Sequence, residues 1–452
     1  MSETAKLTRG PIRGHLVSQT LPAIIGVASL MSVGLIDAYF IGQLGSAQLA
    51  AISFVFPISV AVVSLGVGTM VGINSVVSRT LGSGDLARAR QRGNFGILFA
   101  VALGLMMSAL LYLLLDPLFG LMQADDELLP IIREYMVPFS LGLPVILTIM
   151  GVNGVLRGQG EAKKTSYVSV TYAVANMILD PILITGAFGF EGFGIAGAAY
   201  ATIVGWSIGI ALGLFLLSKT DIPFQPRRIG GLDFGSSLNA IGKVAGPAAF
   251  SNAINPIGLA VLTALLASQG EAAVAGFGAA GRLQSFVVVP LLALSGSIGA
   301  IVGQNWGADM PERSRLAMLE AGAFCIGYGL LIAVLLWSTG GWFADIFTDD
   351  AEVMANFTSY LSIAAWGYAG YGLLIVGNGA LNAIDRASVS LTQSFARVFL
   401  VMLPFAWVMR GDWGAEAIYA AELTANLVGG AIAAGAAWWF LGRRPRMVQA
   451  AE

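Results

Sequence analysis

Long apolar runs separated by short polar loops dominate the chain. Each run holds about 20 residues or more, which is enough to cross roughly 30 Å of hydrocarbon as an α-helix. We place twelve runs at 17–43, 47–75, 90–115, 127–149, 164–187, 192–218, 240–268, 272–302, 314–338, 352–376, 389–409 and 414–441. The pattern predicts an all-α membrane protein with twelve transmembrane helices.

The composition agrees with a protein that lies in a lipid bilayer. Hydrophobic residues make up 56% of the chain and charged residues 11%, against about 25% charged residues in soluble domains. Glycine accounts for 58 of 452 residues, and small residues let membrane helices approach one another closely. The first residues carry charge without a cleavage-type segment, so we expect no signal peptide.

Several function classes are disfavoured by what the sequence lacks. The chain has one cysteine, Cys325, and one histidine, His15, which argues against an internal disulfide, a cysteine or zinc metal site and histidine-based catalysis. The net charge of −2 gives no indication of nucleic-acid binding. A nucleotide motif and a nucleophile triad are also missing from the sequence. We therefore expect neither an enzyme nor a resident cofactor, and we expect a monomer.

Basic residues are distributed unevenly between the two sides of the predicted membrane protein. With twelve spans both termini lie on one side, and 20 of the 24 Lys and Arg residues fall there. Arg133 and Arg410 fall on the opposite side, whereas Arg282 and Arg397 lie within spans. Because positively charged loops are retained in the cytoplasm, we predict cytoplasmic termini in a multi-pass protein of the plasma (inner) membrane.

The two halves of the chain repeat at an offset of 225 residues. This shift superimposes Pro22 on Pro247, Gly45 on Gly270, Gly82 on Gly307, Arg88 on Arg313, Asp125 on Asp350, Tyr135 on Tyr360 and Asn153 on Asn378. We predict two pseudo-symmetric six-helix lobes, 1–225 and 226–452, joined by a polar linker rich in Pro and Gly at 218–237. The cavity between such repeats is the usual substrate site of a transporter.

Among the acids within predicted spans, we single out Asp37, Asp180 and Glu422. An ionised acid at mid-bilayer costs about 2.5–3.5 kcal/mol, and a bound proton or sodium ion relieves that cost. Asn176 and Asp180 are four residues apart and share one helix face, next to the helix break expected at Pro181. We interpret this stretch as a cation site. The alternative is that Asp180 caps the break or bonds a neighbouring helix.

The acid pair belongs to the first half of the chain only. Under the same shift Asp37 meets Leu262 and Asn176 meets Val401, and Leu403 takes the place of Asp180 when Pro181 is matched to Pro404. Later in the sequence, "GIAGAAYAT" (194–202) resembles "GAEAIYAAE" (414–422), which sets Thr202 opposite Glu422. Glu422 is therefore a candidate proton site of the second half.

Several stretches together resemble the multidrug and toxic compound extrusion (MATE) family. They are "LIDAYFIGQLG" (35–45), "NGVLRGQGEAKK" (153–164), "NMILDP" (176–181), "GIAGAAYAT" (194–202) and "GQNWGA" (303–308). Within the family the chain is similar to the DinF-type branch, and this resemblance implies a cation site in the N-terminal half at Asp37, Asn176, Asp180 and Thr202. If the ion is sodium, the first three of these are its expected metal ligands. The acids that the NorM-type branch has in helices 7 and 10 are missing here, so a second cation site of that type is not expected.

Other polar, aromatic and thioether residues are candidates for a substrate cavity. Methionine and aromatic side chains accommodate varied shapes, whereas most apolar residues of membrane helices only pack against neighbours. The candidates in the first half are Met31, Tyr39, Phe56, Met70, Tyr172 and Met177. Those in the second half are Asn252, Asn255 and Arg282.

Three function classes remain open at this stage. The first is an antiporter that exports organic, cationic or amphipathic drug-like compounds in exchange for protons or sodium. The second is a flippase for lipid-linked saccharides or lipids, which has related architecture and needs basic residues in its cavity. The third is a channel or a membrane enzyme, which an acid pair inside a repeat fold does not favour. We expect the exporter.

Overall fold

The computed structural model describes residues 5–125, 127–187, 189–231 and 233–443. Twelve helical spans are found there, once a bent pair is counted as one span. They are α1 (Ile12–Leu44), α2 (Ser46–Gly82), α3 (Leu86–Leu121), α4 (Leu129–Gly158), α5 (Ala162–Thr185), α6 (Ile195–Ser218), α7 (Phe234–Ala267), α8 (α8a, Glu271–Val287, and α8b, Val289–Gly307), α9 (Pro311–Phe347), α10 (Ala351–Ala383), α11 (Ala387–Trp413) and α12 (Ala415–Gly442). The predicted all-α fold with twelve spans is confirmed. The first four and last nine residues of the predicted lobes lie outside the described ranges.

Several helices are longer than the apolar runs that predicted them. Helix α2 has 37 residues, or about 55 Å at 1.5 Å per residue, against roughly 30 Å of hydrocarbon. A search for apolar runs stops near the first charged residue, whereas a helix continues through Arg79 because arginine is a good helix former. The ends of such helices therefore project beyond the hydrocarbon layer.

Four irregular segments interrupt the long helices. Helix α8 bends by 42° between its two parts, where Pro290 removes a backbone donor. A 3₁₀ turn at Ala365–Gly367 interrupts α10. π-Helical turns occur at Pro181–Thr185 in α5 and at Ala396–Met402 in α11. Such turns interrupt the regular hydrogen-bond ladder and are frequent at functional sites.

Each half of the chain folds into a lobe with its own apolar core. One buried cluster is formed entirely by residues of α1 to α6 and contains Tyr172 and Trp206. Another is formed entirely by residues of α7 to α12 and contains Tyr360 and Tyr419. We call these the N lobe and the C lobe.

At one end of the molecule, the start of each lobe's first helix packs against the other lobe. Ile12 and Leu16 of α1 lie in a buried cluster with residues of α8b, α9, α10 and α12. In the opposite direction, Ile241 and Ala245 of α7 lie in a cluster with residues of α2, α3 and α4. The arrangement is reciprocal, as expected for two copies related by pseudo-symmetry.

The lobes meet tightly at this end, which we call the closed end. A Cβ on Gly82 would lie 2.1 Å from the carbonyl oxygen of Gln304, and a Cβ on Gly307 would lie 2.1 Å from that of Arg79. These two glycines are the pair superimposed by the 225-residue shift. Backbone therefore meets backbone at both symmetry-related positions, and only glycine fits.

An N-terminal strap, residues 5–13, crosses the closed end and is bonded to both lobes. Lys6 Nζ donates to Glu161 Oε1 of the N lobe at 2.8 Å, and that carboxylate raises the pKa of the Lys6 ammonium. Leu7 is buried; its N–H donates to Gln304 Oε1 of the C lobe at 3.1 Å. Arg313 donates to the Gly10 carbonyl at 2.9 Å. The strap thus ties one lobe to the other.

The opposite ends of the lobes separate and leave a cavity, and we call this the open end. In α2 most buried residues lie between Ser64 and Leu81, whereas only Ala51 and Val55 are buried before them. Phe56, in the first third of α2, is 62% exposed. Close backbone contacts between α2 and α7 occur at Gly68 and Gly72, nearer the closed end. The molecule is therefore open at the end where α1 meets α2 and α7 meets α8a.

Candidate functional site

The structure brings the predicted acid pair of the N lobe together. Asn176 and Asp180 of α5 are fully buried, and Asp37 of α1 is half-buried. With its amide turned so that the nitrogen faces the carboxyls, Asn176 donates to Asp180 Oδ2 at 2.9 Å and to Asp37 Oδ1 at 3.3 Å. One amide group therefore links α1 to α5 through two carboxyl groups.

The two carboxyl groups also approach each other closely enough for a direct hydrogen bond. A hydrogen bond between two carboxyls requires a proton on one of them, because an ionised carboxylate only accepts. Two ionised carboxylates at this distance would repel each other in a poorly hydrated site. The arrangement is consequently suited to hold a proton or another small cation.

Local backbone structure places these groups. Helix α5 is regular up to Asp180, and Pro181 then starts the π-helical turn that ends at Thr185. Since proline has no N–H, the carbonyl of Met177 loses its usual helix donor. A Cβ on Gly197 of α6 would lie 1.9 Å from the carbonyl oxygen of Leu183. Glycine at 197 therefore lets α6 pack directly on the π turn.

Aromatic residues surround the pair. Thr202 of α6 is half-buried, and its side chain lies within hydrogen-bonding reach of the Tyr172 hydroxyl. The ring of Tyr172 stacks on Trp206 at 3.9 Å between centroids. Asp37 and Asp180 are both electrostatic neighbours of Tyr172 and of Tyr135 in α4. The four residues implied by the family resemblance thus lie in one region. Thr202 is connected to the two carboxyl groups through Tyr172.

Sequence reasoning missed Tyr135 as a member of this region and assigned Tyr172 to the substrate cavity. Tyr172 is instead only 5% exposed and lies inside the N lobe beside the carboxyls. The available signal was the repeat, because the shift that pairs Tyr135 with Tyr360 marks both tyrosines as equivalent positions of the two lobes.

The C lobe contains a polar cluster of its own around Glu422. Gln284 Nε2 of α8a donates to Glu422 Oε1 at 2.7 Å. The hydroxyl of Tyr360 in α10 lies 2.9 Å from Glu422 Oε2 and 2.9 Å from Gln284 Oε1. Glu422 is 4% exposed and Tyr360 is fully buried. Sequence reasoning singled out Glu422 but neither of its partners.

A buried arginine lies next to this cluster. Arg397 of α11 donates to Asn426 Oδ1 at 2.6 Å and to the side-chain oxygen of Asn255 in α7. Its guanidinium lies over the ring of Tyr371, 5.7 Å from the centroid. The repeat shift pairs Arg397 with Tyr172. The two lobes therefore carry different chemistry at equivalent positions.

The remaining cavity candidates divide into exposed and half-buried residues. Tyr39, Phe56 and Met177 are 65%, 62% and 45% exposed. Asn252 and Arg282 are also exposed, whereas Met31, Met70 and Asn255 are half-buried. Asn255 is bonded to Arg397, so its side chain belongs to the inside of the C lobe.

The two asparagines of α7 should therefore respond differently to truncation. Asn255→Ala leaves one arm of the buried Arg397 without its acceptor, and we expect a loss of about 1–3 kcal/mol in stability. Asn252→Ala removes an exposed side chain that donates to the Ala248 carbonyl of its own helix, and it serves as the matched control. Thermal unfolding in detergent measures both. Equal melting temperatures for the two variants would contradict the assignment of Asn255.

Comparison with known proteins identifies the family. A family model described as MatE matches residues 22–182 and again residues 247–408. Together the two matches cover more than half of the chain, and they begin 225 residues apart. The chain belongs to the MATE family. Members of this family are secondary transporters, so the chain is an integral multi-pass membrane protein of that class.

Relatives of similar length support the assignment. The FAD transporter of Shewanella oneidensis is 32% identical over 406 residues, which are 90% of each chain. The probable multidrug resistance protein YpnP of Bacillus subtilis is 26% identical over 405 residues, 89% of this chain and 88% of that protein. The solved MATE transporter VcmN of Vibrio cholerae, in its bent form, is 31% identical with a TM-score of 0.89, covering 95% of this chain and 97% of that one.

Proposed function

We propose that this MATE protein exports organic compounds in exchange for a cation that binds at Asp37, Asn176 and Asp180. The observation that carries the proposal is the single amide of Asn176, which reaches carboxyl groups from α1 and α5 at once. Binding and release of a cation between these carboxyls changes the link between the two helices. A DinF-type N-lobe site fits this arrangement, with Thr202 connected to it through Tyr172.

The transport cycle that we infer uses alternating access. The basic residues of the chain cluster at the closed end, for example Arg79, Arg313 and Lys164. Under the positive-inside rule that end is cytoplasmic, and the structure then represents the outward-facing state. A cation arriving from outside loosens the α1–α5 link, and Pro181 gives α5 a place to bend. The bend moves α1, one wall of the cavity, and favours release of the substrate.

The cation can be a proton or sodium. A proton neutralises the pair and needs only the carboxyl oxygens that already face each other. Sodium needs both carboxylates ionised, with the oxygens of Asn176 and Thr202 completing its shell. In that case the Asn176 amide must turn its oxygen towards the ion.

Two substrate classes are supported by different observations. Exposed aromatic side chains near the open end, among them Tyr39 and Phe56, favour amphipathic drug-like compounds. The similarity to the FAD transporter favours a flavin dinucleotide as a second candidate. Arg282 is exposed on α8a, on the face away from the contact between Gly276 and α10, and it could pair with a pyrophosphate.

A flippase for anionic lipid-linked saccharides fits the charges less well. Such a cavity should present several basic side chains to the head group. Of the two arginines predicted within spans, Arg282 is exposed, but Arg397 is buried and already bonded to two asparagines. Rescue of a flippase-deficient strain would contradict the exporter assignment.

The choice of cation is tested in proteoliposomes in which a proton gradient and a sodium gradient are imposed separately. We expect Asp180→Asn and Asn176→Ala each to lower ion-driven efflux at least about tenfold, a change of about 1.4 kcal/mol. If the ion is sodium, sodium should also slow hydrogen exchange around α5, and Asp180→Asn should remove that protection. Asn252→Ala, in an exposed amide of the C lobe, is the control and should keep the ion response. Unchanged ion dependence in both N-lobe variants would show that the stretch is structural.

A further inference from the structure

The C-lobe cluster of Gln284, Tyr360 and Glu422 has a complete set of hydrogen bonds for Glu422 with or without a proton. When Glu422 is ionised, it accepts from Gln284 Nε2 at 2.7 Å and from the Tyr360 hydroxyl at 2.9 Å. When Oε2 carries a proton, that O–H can donate to the Tyr360 oxygen. The Tyr360 proton then turns to Gln284 Oε1, which is also 2.9 Å away. Rotation of a single hydroxyl thus converts one set into the other.

This property separates the cluster from a purely structural polar network. A structural carboxylate needs donors only, and its network has to satisfy only the ionised form. Here the single Tyr360 proton has two acceptors at equal distance, and only one can be used at a time. The unused acceptor becomes necessary when Glu422 takes up a proton, because Tyr360 would otherwise lose its partner inside the lobe.

The cluster lies at the position equivalent to the N-lobe site. Glu422 is seven residues after the start of α12 and Thr202 is seven residues after the start of α6, about 10 Å into each helix from the open end. The repeat shift pairs Tyr360 with Tyr135, the tyrosine next to Asp37 and Asp180. Each lobe therefore carries an acid and a tyrosine at the same depth, in different combinations.

The groups around Glu422 suit a proton better than a metal cation. The titratable groups near enough to interact electrostatically with it are Tyr360, Tyr368 and Tyr371 of α10 and Arg397 of α11. Helix α8a contributes the uncharged Gln284. The guanidinium of Arg397 disfavours any added cation, but a single carboxylate is a poor ligand set for sodium, whereas a proton needs only one carboxyl oxygen. A bound proton needs no further coordinating oxygens, and Arg397 keeps its two asparagine partners.

We propose that Glu422 is a second proton-binding site, located in the C lobe and independent of the N-lobe cation site. Tyr360 and Gln284 provide its hydrogen-bond partners in both protonation states. A proton taken up from water neutralises Glu422 at Oε2, and no proton leaves Tyr360 or Gln284. Each lobe then has its own cation-binding site. The C-lobe site titrates whether or not the acid pair of the N lobe works as proposed above.

Infrared difference spectra between acidic and neutral pH, recorded on purified protein in lipid, test the proposal without a transport assay. In the Asp37→Asn/Asp180→Asn variant we expect a band of a protonated, hydrogen-bonded carboxyl group to remain at acidic pH. Adding Glu422→Gln should remove that band, whereas adding Glu416→Gln, an exposed glutamate of the same helix, should not. Identical spectra for the double variant with and without Glu422→Gln would overturn the proposal.

The role of Tyr360 has a separate readout. Tyr360→Phe should shift the carboxyl band of protonated Glu422 to higher frequency, because its O–H loses the tyrosine acceptor. Tyr419→Phe is the matched control: its ring is 5.4 Å from that of Tyr360, but its hydroxyl donates to Asn356. An unshifted band in Tyr360→Phe, or an equal shift in both variants, would remove Tyr360 from the site. Loss of the N-lobe ion response in transport would not affect either result.

Discussion

Asp37→Asn is expected to leave the protein folded and inserted but to abolish ion-driven efflux. The substitution keeps the shape of the side chain, and the amide that replaces the carboxyl can still accept from Asn176 and donate to Asp180. It removes one of the two carboxyls between which the cation is held, so α1 stays linked to α5 whatever the ion gradient. Efflux from proteoliposomes under an imposed gradient measures the effect, with the amount of inserted protein matched to wild type.

The control for this variant is another aspartate of the N lobe. Asp116 of α3 is about half exposed and lies 3.5 Å from the Arg133 guanidinium. Exposed ion pairs contribute about 0–1 kcal/mol, so Asp116→Asn should transport at nearly the wild-type rate. If Asp37→Asn exports at the wild-type rate at equal expression, the N-lobe pair does not couple ions to transport.

The second large effect is expected at the glycines of the closed end. Gly82→Val and Gly307→Val each place a side chain where the facing backbone carbonyl already lies within 2.1 Å of the new Cβ. The obstructing atoms belong to helix backbone, which cannot move aside without separating the lobes. We therefore expect both variants to favour the conformation that is open at this end, and to reduce transport because the other state is rarely reached.

Cysteine labelling can measure this shift, because the chain has a single cysteine. Cys325 is fully buried and can be replaced by alanine, after which Ser75→Cys reports on the closed end. Ser75 is 2% exposed and donates to the Asn382 carbonyl of the other lobe. Labelling should become at least about tenfold faster in the valine variants, a population shift of about 1.4 kcal/mol. Gly278→Val in α8a, where a Cβ meets nothing within 4 Å, should leave it unchanged. Slow labelling in all three variants would show that the lobes tolerate the added side chains.

The sequence predicts the fold well because its strongest signals come from the membrane. Apolar runs predict the number of spans, since each must satisfy its backbone within hydrocarbon. The sequence also indicates the cation site, because a carboxyl group in such a run needs a partner. The spacing of Asn176 and Asp180 places these two side chains on one helix face. Asp37 joined them only through the family resemblance and the structure.

Features that depend on packing between distant helices were not predicted. The bend of α8 falls inside one apolar run, which hydrophobicity alone cannot divide. Gln284 reads as an ordinary polar residue until α8a is placed against α12. Tyr172 read as a cavity residue because its burial depends on stacking with Trp206, a contact between α5 and α6 that no periodicity reveals. The contact of Gly82 with Gln304 likewise exists only once the lobes have met.

The N-terminal strap has a consequence for the order of events during synthesis. Leu7 leaves the ribosome long before its partners Gln304 and Asn305, which follow almost 300 residues later. At elongation rates of about 5–20 residues per second, the strap waits at least about 15 seconds for them. The N lobe must therefore insert with this segment undocked, and the closed end is completed only after most of the second repeat has been made. A ribosome stalled before residue 304 should thus hold an N lobe whose strap remains open to protease, whereas release of the full chain should protect it.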